Sequence, residues 1–352
     1  MKIRICIIGC GNISNTRHIP AILKNPNMEI IGAISDNRNN IENTVKVHSV
    51  KRFMILDKSS VISEQLTECG WFIDEVDAVV IGTPPMEHFT LAYACLSLGK
   101  HVLVEKPMMM DEKECITVMK LASEKQLILN VMHSFQFASG IMKMERCFLS
   151  GEFGNIESIV EIQFTNRNRR LPSWYNELPL GLYYDEAAHF FYTARRFGGE
   201  LKVLNAAAQF NEEEATPKFL QAQLMAGEIP VQMIMNFNSP ICEWYILLLC
   251  EKKVALYDFF KDILIVMDND NQHLSKDVLR TSRQFFSRYW KGFICNGVKM
   301  ILNKLLYGHD IAIDAFGKAI ATGYSCSELS AELGLEVVSA MNDVVEKVKG
   351  VL

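Results

Sequence analysis

Along the first 132 residues, short runs of aliphatic and β-branched residues alternate with stretches whose apolar positions recur every three or four residues. That rhythm predicts a parallel sheet whose strands are joined by crossover helices. The strands read as Ile3 to Ile8, Glu29 to Ser35, Lys51 to Met54, Ala78 to Gly82, His101 to Val104 and Leu127 to Met132. Helical periodicity falls around Ser14 to Lys24, Asn39 to His48, Ser60 to Cys69, Glu87 to Leu98 and Asp111 to Glu124. Asp111 is an N-cap candidate, with Glu114 three residues on completing a capping box. Pro20 should kink or split the first helix, since it has no N–H and its ring crowds the preceding turn.

Beyond residue 132 the rhythm gives way to longer alternating runs, at Ile156 to Phe164, Val203 to Phe210, Pro230 to Phe237, Trp244 to Cys250, Val254 to Tyr257 and Leu264 to Met267. Strict alternation describes strands with one buried face, so a mostly antiparallel sheet is expected. Helices are expected around Gly140 to Leu149, Asp185 to Phe197 and Val278 to Lys304, and from Ile311 to the end. The chain therefore divides into an α/β domain over 1–132 and an α+β domain over 133–352.

At 352 residues the chain is long enough for two cores, and 49% hydrophobic with 22% charged residues is ordinary globular composition. The net charge of −5, from 36 basic and 41 acidic residues, offers no field for a polyanion, so no nucleic-acid partner is expected. The ten cysteines show neither CxxC pairing nor companion histidines at metal-ligand spacing. They read as buried thiols of a reducing compartment, with no metal site. No stretch approaches the ~18 uncharged apolar residues of a membrane span, so a cytoplasmic protein with no membrane partner is expected.

Chemistry first enters at Gly9-Cys10-Gly11-Asn12-Ile13-Ser14, directly after the first strand. A glycine at 9 permits a tight turn, and one at 11 lets the backbone approach a pyrophosphate at a helix N-terminus. Asp36, at the end of the second strand, stands where a carboxylate accepts hydrogen bonds from ribose hydroxyls; a turn or N-cap carboxylate is the plainer alternative. It would repel a 2′-phosphate and favour NAD, whereas Arg38 could pair with that phosphate and keeps NADP open.

Lys106, in Glu105-Lys106-Pro107, follows a strand of the parallel sheet, and ligands of such sheets bind beyond the carboxyl ends of the strands. Pro107 restricts it to an extended conformation, and a cis bond there would turn the ammonium toward a cleft. Taken alone it reads as a solvated loop lysine. Asp185 and His189 lie four apart on one helical face, where a carboxylate can raise the basicity of an imidazole. Taken alone, they read as a helix cap and a core-edge histidine.

Together these residues give a resemblance, over nearly the whole chain, to the Gfo/Idh/MocA oxidoreductases. It rests on Gly9 and Gly11, on Gly82-Thr83-Pro84-Pro85 with His88, on Gly99-Lys100-His101-Val102 running into Glu105-Lys106-Pro107, on Gly151-Glu152-Phe153-Gly154, and on Asp185-x-x-x-His189. The resemblance implies a Rossmann domain followed by a domain with an open, mostly antiparallel sheet that carries the substrate and builds a homodimer or homotetramer. It also implies that Asn12, Ile13, Thr83, Pro84, His88 and Glu105 join the glycines, Asp36 and Arg38 around NAD or NADP. In it Lys106 binds the reacting oxygen, His189 is the general acid/base and Asp185 assists. The reaction implied is hydride transfer between the nicotinamide and a CH–OH group of a sugar-like molecule; a non-catalytic dinucleotide-binding regulator of the same fold is the alternative. The chain departs from the family at Ser14, at Glu186, at His133-Ser134-Phe135-Gln136-Phe137, and at Tyr192, where many relatives carry an aspartate.

For the substrate, Arg167-Asn168-Arg169-Arg170 runs into Trp174 and Tyr175 and then Tyr183 and Tyr184. Guanidinium forks suit phosphate or carboxylate, and aromatic faces suit a sugar ring, so Arg169, Trp174, Tyr175 and Tyr184 are the substrate candidates. A solvated basic loop beside core aromatics is the alternative. The basic, aromatic segment from Val278 to Lys304 could suggest a membrane-surface or partner helix, but a solvated face opposite a packed one is the simpler reading.

Overall fold

The computed structural model describes residues 2–350 apart from 167, 170, 212, 213, 303 and 304. Two compact units form, the first from Met1–Ser134 with Gly308–Ser339 and the second from Phe135–Tyr307 with Ala340–Leu352. The single cut expected after residue 132 thus misses a return of the chain into the first unit.

In that unit β1 (Ile3–Ile8), β2 (Met28–Ser35), β3 (Arg52–Ile55), β4 (Ala78–Ile81), β5 (His101–Glu105) and β6 (Leu129–Met132) form one parallel sheet in the order β3-β2-β1-β4-β5-β6. This is the doubly wound order, in which the strand sequence reverses beside β1 and leaves a crevice at the carboxyl ends. β4 and most of β1 and β5 are buried, as their unbroken apolar runs require of strands covered on both faces. The returning helix His309–Thr322 sets Asp314 to accept from the Asn25 amide at 3.1 Å, and Gly334 lies against Val131 and Met108. Asn130 of β6 donates to Ser325 Oγ at 2.8 Å and to the Leu329 carbonyl at 3.0 Å.

Pro20 acts as expected. The first helix begins as a π-type turn over Ser14–His18, in which the Ile19 N–H bonds the Ser14 carbonyl, and becomes α-helical at Ile19–Lys24 with Pro20 in its first turn. Asp111 caps Glu112–Glu124 by accepting from the Glu114 N–H at 2.9 Å.

In the second unit β7 (Ile156–Phe164), β8 (Leu201–Gln209), β9 (Phe219–Ala226), β10 (Ile229–Asn236), β11 (Glu243–Cys250), β12 (Lys253–Asp258) and β13 (Ile263–Asp268) form a sheet ordered β13-β12-β11-β7-β10-β9-β8. Only β7 with β10 is parallel. Residues facing the helices, such as Ile159, Leu224, Met233, Ile246 and Leu248, are buried together with Phe190 and Phe191 of the helix Ala188–Gly198. Each such side chain contributes roughly 1.5–3 kcal/mol by leaving water.

The helix expected from Asp185 to Phe197 is two, Leu182–Glu186 and Ala188–Gly198, meeting at Ala187. The helix expected from Ile311 to the end is also two, His309–Thr322 and Ala331–Lys349. The break follows Gly323, whose φ of +81° ends the first in a left-handed cap. All ten cysteines are free, but Cys6, Cys10, Cys95 and Cys115 alone are buried and Cys295 is exposed, which corrects the expectation of uniformly buried thiols. Among the described residues no helix is long and apolar enough to cross a membrane.

Candidate active site

The turn after β1 is built on Gly9, whose φ of +90° and whose closeness to Gly82 and Thr83 exclude a side chain; a Cβ there would lie 2.8 Å from the Gly82 backbone. A side chain at Gly11 would instead meet nothing within 4 Å, so the backbone there is open to a ligand's approach. Ser14, the odd third residue of the fingerprint, is buried and donates its hydroxyl to the Gly9 carbonyl at 2.6 Å, which closes the turn from within. Asn12 and Ile13 stand in the first turn of the helix, where N–H groups lack intrahelical acceptors and suit a phosphate.

Asp36 follows β2 and is not the cap of the next helix, since Asn37 fills that place by accepting from the Asn40 N–H at 3.0 Å. The Asp36 carboxylate meets Lys58 Nζ at 2.8 Å, and Lys58 also pairs with Glu87. Partial burial pushes the Asp36 pKa up, but the Lys58 hydrogen bond and charge outweigh it and hold the group below its usual range. Arg38 is exposed and bonds Glu42 one turn on at 3.5 Å.

At the carboxyl end of β5, Glu105 is buried and accepts from the Lys106 N–H at 3.1 Å through one oxygen, while the other lies 2.8 Å from His18 Nε2. His309 Nε2 approaches the same oxygen at 3.9 Å. Burial would raise the Glu105 pKa, but the hydrogen bond and charge of His18, with His309 and Lys106, push it down to about 2. The result is a fixed anion beneath the backbone of Lys106. The donor atoms of His18, Glu105 and His309 lie within 4.8 Å of one another and form the metal-capable cluster found among the described residues. Yet the 2.8 Å contact is a hydrogen bond, shorter than the roughly 3.3 Å that separates ligands around tetrahedral zinc.

Lys106 itself is half-buried, and its bond to Pro107 is cis. His88, expected at the cofactor, is wholly buried, with Nδ1 2.9 Å from the Pro107 carbonyl and Nε2 3.0 Å from the Thr83 carbonyl. Burial lowers its pKa. It therefore ties the loop after β4, with Thr83 and Pro84, to the loop that carries Lys106.

In the second unit His189 opens the helix Ala188–Gly198 and is 8% exposed. Its Nδ1 lies 2.6 Å from the Tyr192 hydroxyl, and its ring meets Phe135 edge-on at 5.0 Å and Trp244 at 5.5 Å. Tyr192 is fully buried and also accepts from the Phe135 N–H at 3.3 Å. The Tyr192 hydroxyl is thus a polar partner of the imidazole. Asp185 lies in the preceding helix.

Glu186 is buried and holds the guanidinium of Arg169, the Gln163 amide and, at 3.1 Å, the Thr165 hydroxyl. Burial lowers the Arg169 pKa. Arg167 and Arg170 lie outside the described residues. Trp174 and Tyr175 occupy the short helical turn Ser173–Glu177 and are half-buried. Tyr184, expected to line the substrate, is wholly buried instead; it lies on the inward side of its helix, with its hydroxyl 3.0 Å from Asn342 Oδ1.

Residues 3–133 match the profile of an oxidoreductase family with an NAD-binding Rossmann fold. The N-terminal domain belongs to the Gfo/Idh/MocA oxidoreductases. Relatives of this family include oxidoreductase P35 of Formosa agariphila, 26% identical over 47% of this chain and 48% of that protein. Another is the scyllo-inositol 2-dehydrogenase (NADP(+)) IolW of Bacillus subtilis, 26% identical over 44% of this chain and 46% of that protein. The chain spans about half the length of the curated relatives it matches. Over both units the fold is like that of the WlbA dehydrogenase of Bordetella pertussis, solved with NADH and UDP-GlcNAcA, which superposes with a TM-score of 0.79 at 18% identity, covering 100% of this chain and 96% of that one.

Proposed function

We propose that this chain is an NAD(P)-dependent oxidoreductase that moves hydride between the nicotinamide and a secondary alcohol or ketone of a sugar, cyclitol or nucleotide sugar. The observation that carries the reading is Lys106, set at the carboxyl end of β5 on a buried Glu105 anion in an NAD-binding Rossmann domain. The residues fit the cofactor, because Gly9 leaves no room for a side chain, nothing lies within 4 Å of a side chain at Gly11, and Asp36 directly follows the second strand, where a ribose carboxylate is expected. When bound, NAD(P) supplies the hydride acceptor or donor.

In this mechanism the Lys106 ammonium binds the substrate oxygen and stabilises alkoxide character as it develops. His189 takes the hydroxyl proton in oxidation and returns it in reduction, with Asp185 assisting. Tyr192 meets the imidazole at Nδ1 and orients the ring for that exchange. Arg169, Trp174 and Tyr175 recognise the rest of the substrate, the aromatics by stacking on a ring and the guanidinium by pairing with an anionic substituent. Asp36 favours NAD, while the exposed Arg38, which bonds Glu42 at 3.5 Å, keeps NADP open. A homodimer or homotetramer through the second sheet is supported by the half-buried Val160, Ile162, Ile234, Leu247 and Leu256 on the face turned away from the helices. The free cysteines suit a reducing, cytoplasmic compartment.

Thermal stabilisation by NADH against NADPH, followed on the saturated protein by a panel of sugars, cyclitols and nucleotide sugars with nicotinamide absorbance as the readout, tests the reading. Turnover of at least one such alcohol or ketone is expected. Binding of either cofactor without turnover of any would point to the regulator.

A further inference from the structure

We propose that the outward face of the helix Ser275–Ile301 docks this protein onto an anionic lipid surface. The packed side of that helix lies along β13: Gly292 sits against Ile263, Asn296 donates to the Lys261 and Asp262 carbonyls at 3.0 and 2.8 Å, and Gln284 donates to Asp268 at 2.6 Å. The opposite side is where a solvated, polar face belongs. Instead it carries Leu279, Phe286, Trp290, Ile294 and Ile301, exposed by 70, 61, 54, 65 and 83%. At about 100° per residue these five fall within roughly 80° of one another, a single stripe along the axis. Of the 27 residues in the helix Asp277 alone is buried, so the stripe is not the edge of a core.

Charge selects the occupant. The helix holds Lys276, Arg280, Arg283, Arg288, Lys291 and Lys299 against the single acid Asp277, in a chain whose net charge is −5. Arg283 lies within the stripe, Lys276, Arg280 and Lys291 run along its edge, and all four are exposed. A second copy of this chain packed stripe to stripe would oppose like charges across a two-fold contact. A bilayer with anionic headgroups satisfies both components. Leucine, isoleucine, phenylalanine and tryptophan enter the boundary between headgroups and acyl chains, and the cations meet phosphates. The helix does not span, and lies in the interface plane. This departs from the expectation, read from the sequence, of a protein without a membrane partner.

The test uses the purified full chain and sedimentation with vesicles of phosphatidylcholine with and without phosphatidylglycerol. Binding to the anionic vesicles alone, reversed by high salt, is expected. Arg283→Gln with Lys291→Gln should weaken it about 30-fold, and Phe286→Gln with Ile294→Gln should abolish it. Circular dichroism and NADH binding confirm that both variants remain folded. The proposal is overturned if the wild type stays in the supernatant with anionic vesicles, or if both variants sediment as it does. It is equally overturned if the apolar variant changes the oligomeric mass in solution, which would make a second copy the occupant.

Discussion

Replacing Tyr192 by Phe removes one oxygen and keeps the ring, so it isolates the contact that orients His189. The hydroxyl serves two buried groups, His189 Nδ1 at 2.6 Å and the Phe135 N–H at 3.3 Å. Losing a shared, buried partner of this kind costs about 1–3 kcal/mol of stability. The kinetic effect is smaller and more specific. A hydrogen bond to a charged imidazolium is worth roughly 1 kcal/mol more than one to a neutral ring, and that excess is expressed as the imidazole gains its proton. Tyr192→Phe should therefore lower kcat about 5- to 15-fold while leaving the affinity for the dinucleotide unchanged. Steady-state rates across pH, with NADH titration of both proteins and thermal melts, read all three quantities. Unchanged kcat at every pH in a protein destabilised as expected would show that the hydroxyl only packs, and would remove Tyr192 from the mechanism.

Three further outcomes follow from two buried carboxylates and from Asp36. Glu105→Gln removes a carboxylate whose folded-state pKa of about 2 lies below its ordinary 4.5, so its stabilisation is present above about 4.5 and is lost as pH falls toward 2. Urea melts of the variant should show a deficit of about 3 kcal/mol at pH 7 that shrinks steadily below pH 4.5; an equal deficit at low pH would refute the assignment. Glu161, on β7, is buried with no hydrogen-bond partner for either oxygen among the described residues, and burial raises its pKa well above the ordinary value. The folded state binds this proton more tightly than the unfolded one, so stability falls as pH rises past the ordinary carboxylate range; Glu161→Met should raise the melting temperature at pH 7 and remove that slope. A lower melting temperature would contradict it. Asp36→Ser should shift the NADPH-to-NADH affinity ratio upward by about tenfold or more, since it removes the anion proposed to meet the ribose and leaves Lys58 paired with Glu87 alone. No shift in a direct binding titration would place the ribose elsewhere.

The strand and helix rhythm of the N-terminal domain was legible because its buried parallel strands are continuous apolar runs bounded by turns. Strand β9, Phe219–Ala226, escaped notice, although its burial alternates, because its inward positions include Ala222 and Ala226, which carry little β signal. The break at Ala187 was hidden because the residues on both sides of it favour helix. Gly9 and Asp36 stood out by their places after the first two strands, whereas Lys106 and His189, which alone read as a loop lysine and a core-edge histidine, were singled out by the family resemblance. Their supports did not stand out, because long-range contacts leave no local mark: His309 approaches Glu105 from two hundred positions away, and Lys58 reaches Asp36 across a loop. Glu186 and Tyr192, departures from the family pattern in sequence, meet Arg169 and His189 in the fold, contacts that no local pattern marks. The helix Ser275–Ile301 was expected to have a solvated face opposite a packed one, and the apolar stripe on that outward face did not show in the sequence, since periodicity gives two faces without saying which is covered.

The account stands most directly on whether Lys106 and His189 act in one redox step. Lys106→Met and His189→Ala should each bind dinucleotide as the wild type does, yet reduce or oxidise the nicotinamide with the best substrate of the panel at least ~100-fold more slowly. Wild-type rates in both variants would contradict the assignment, whatever the fold.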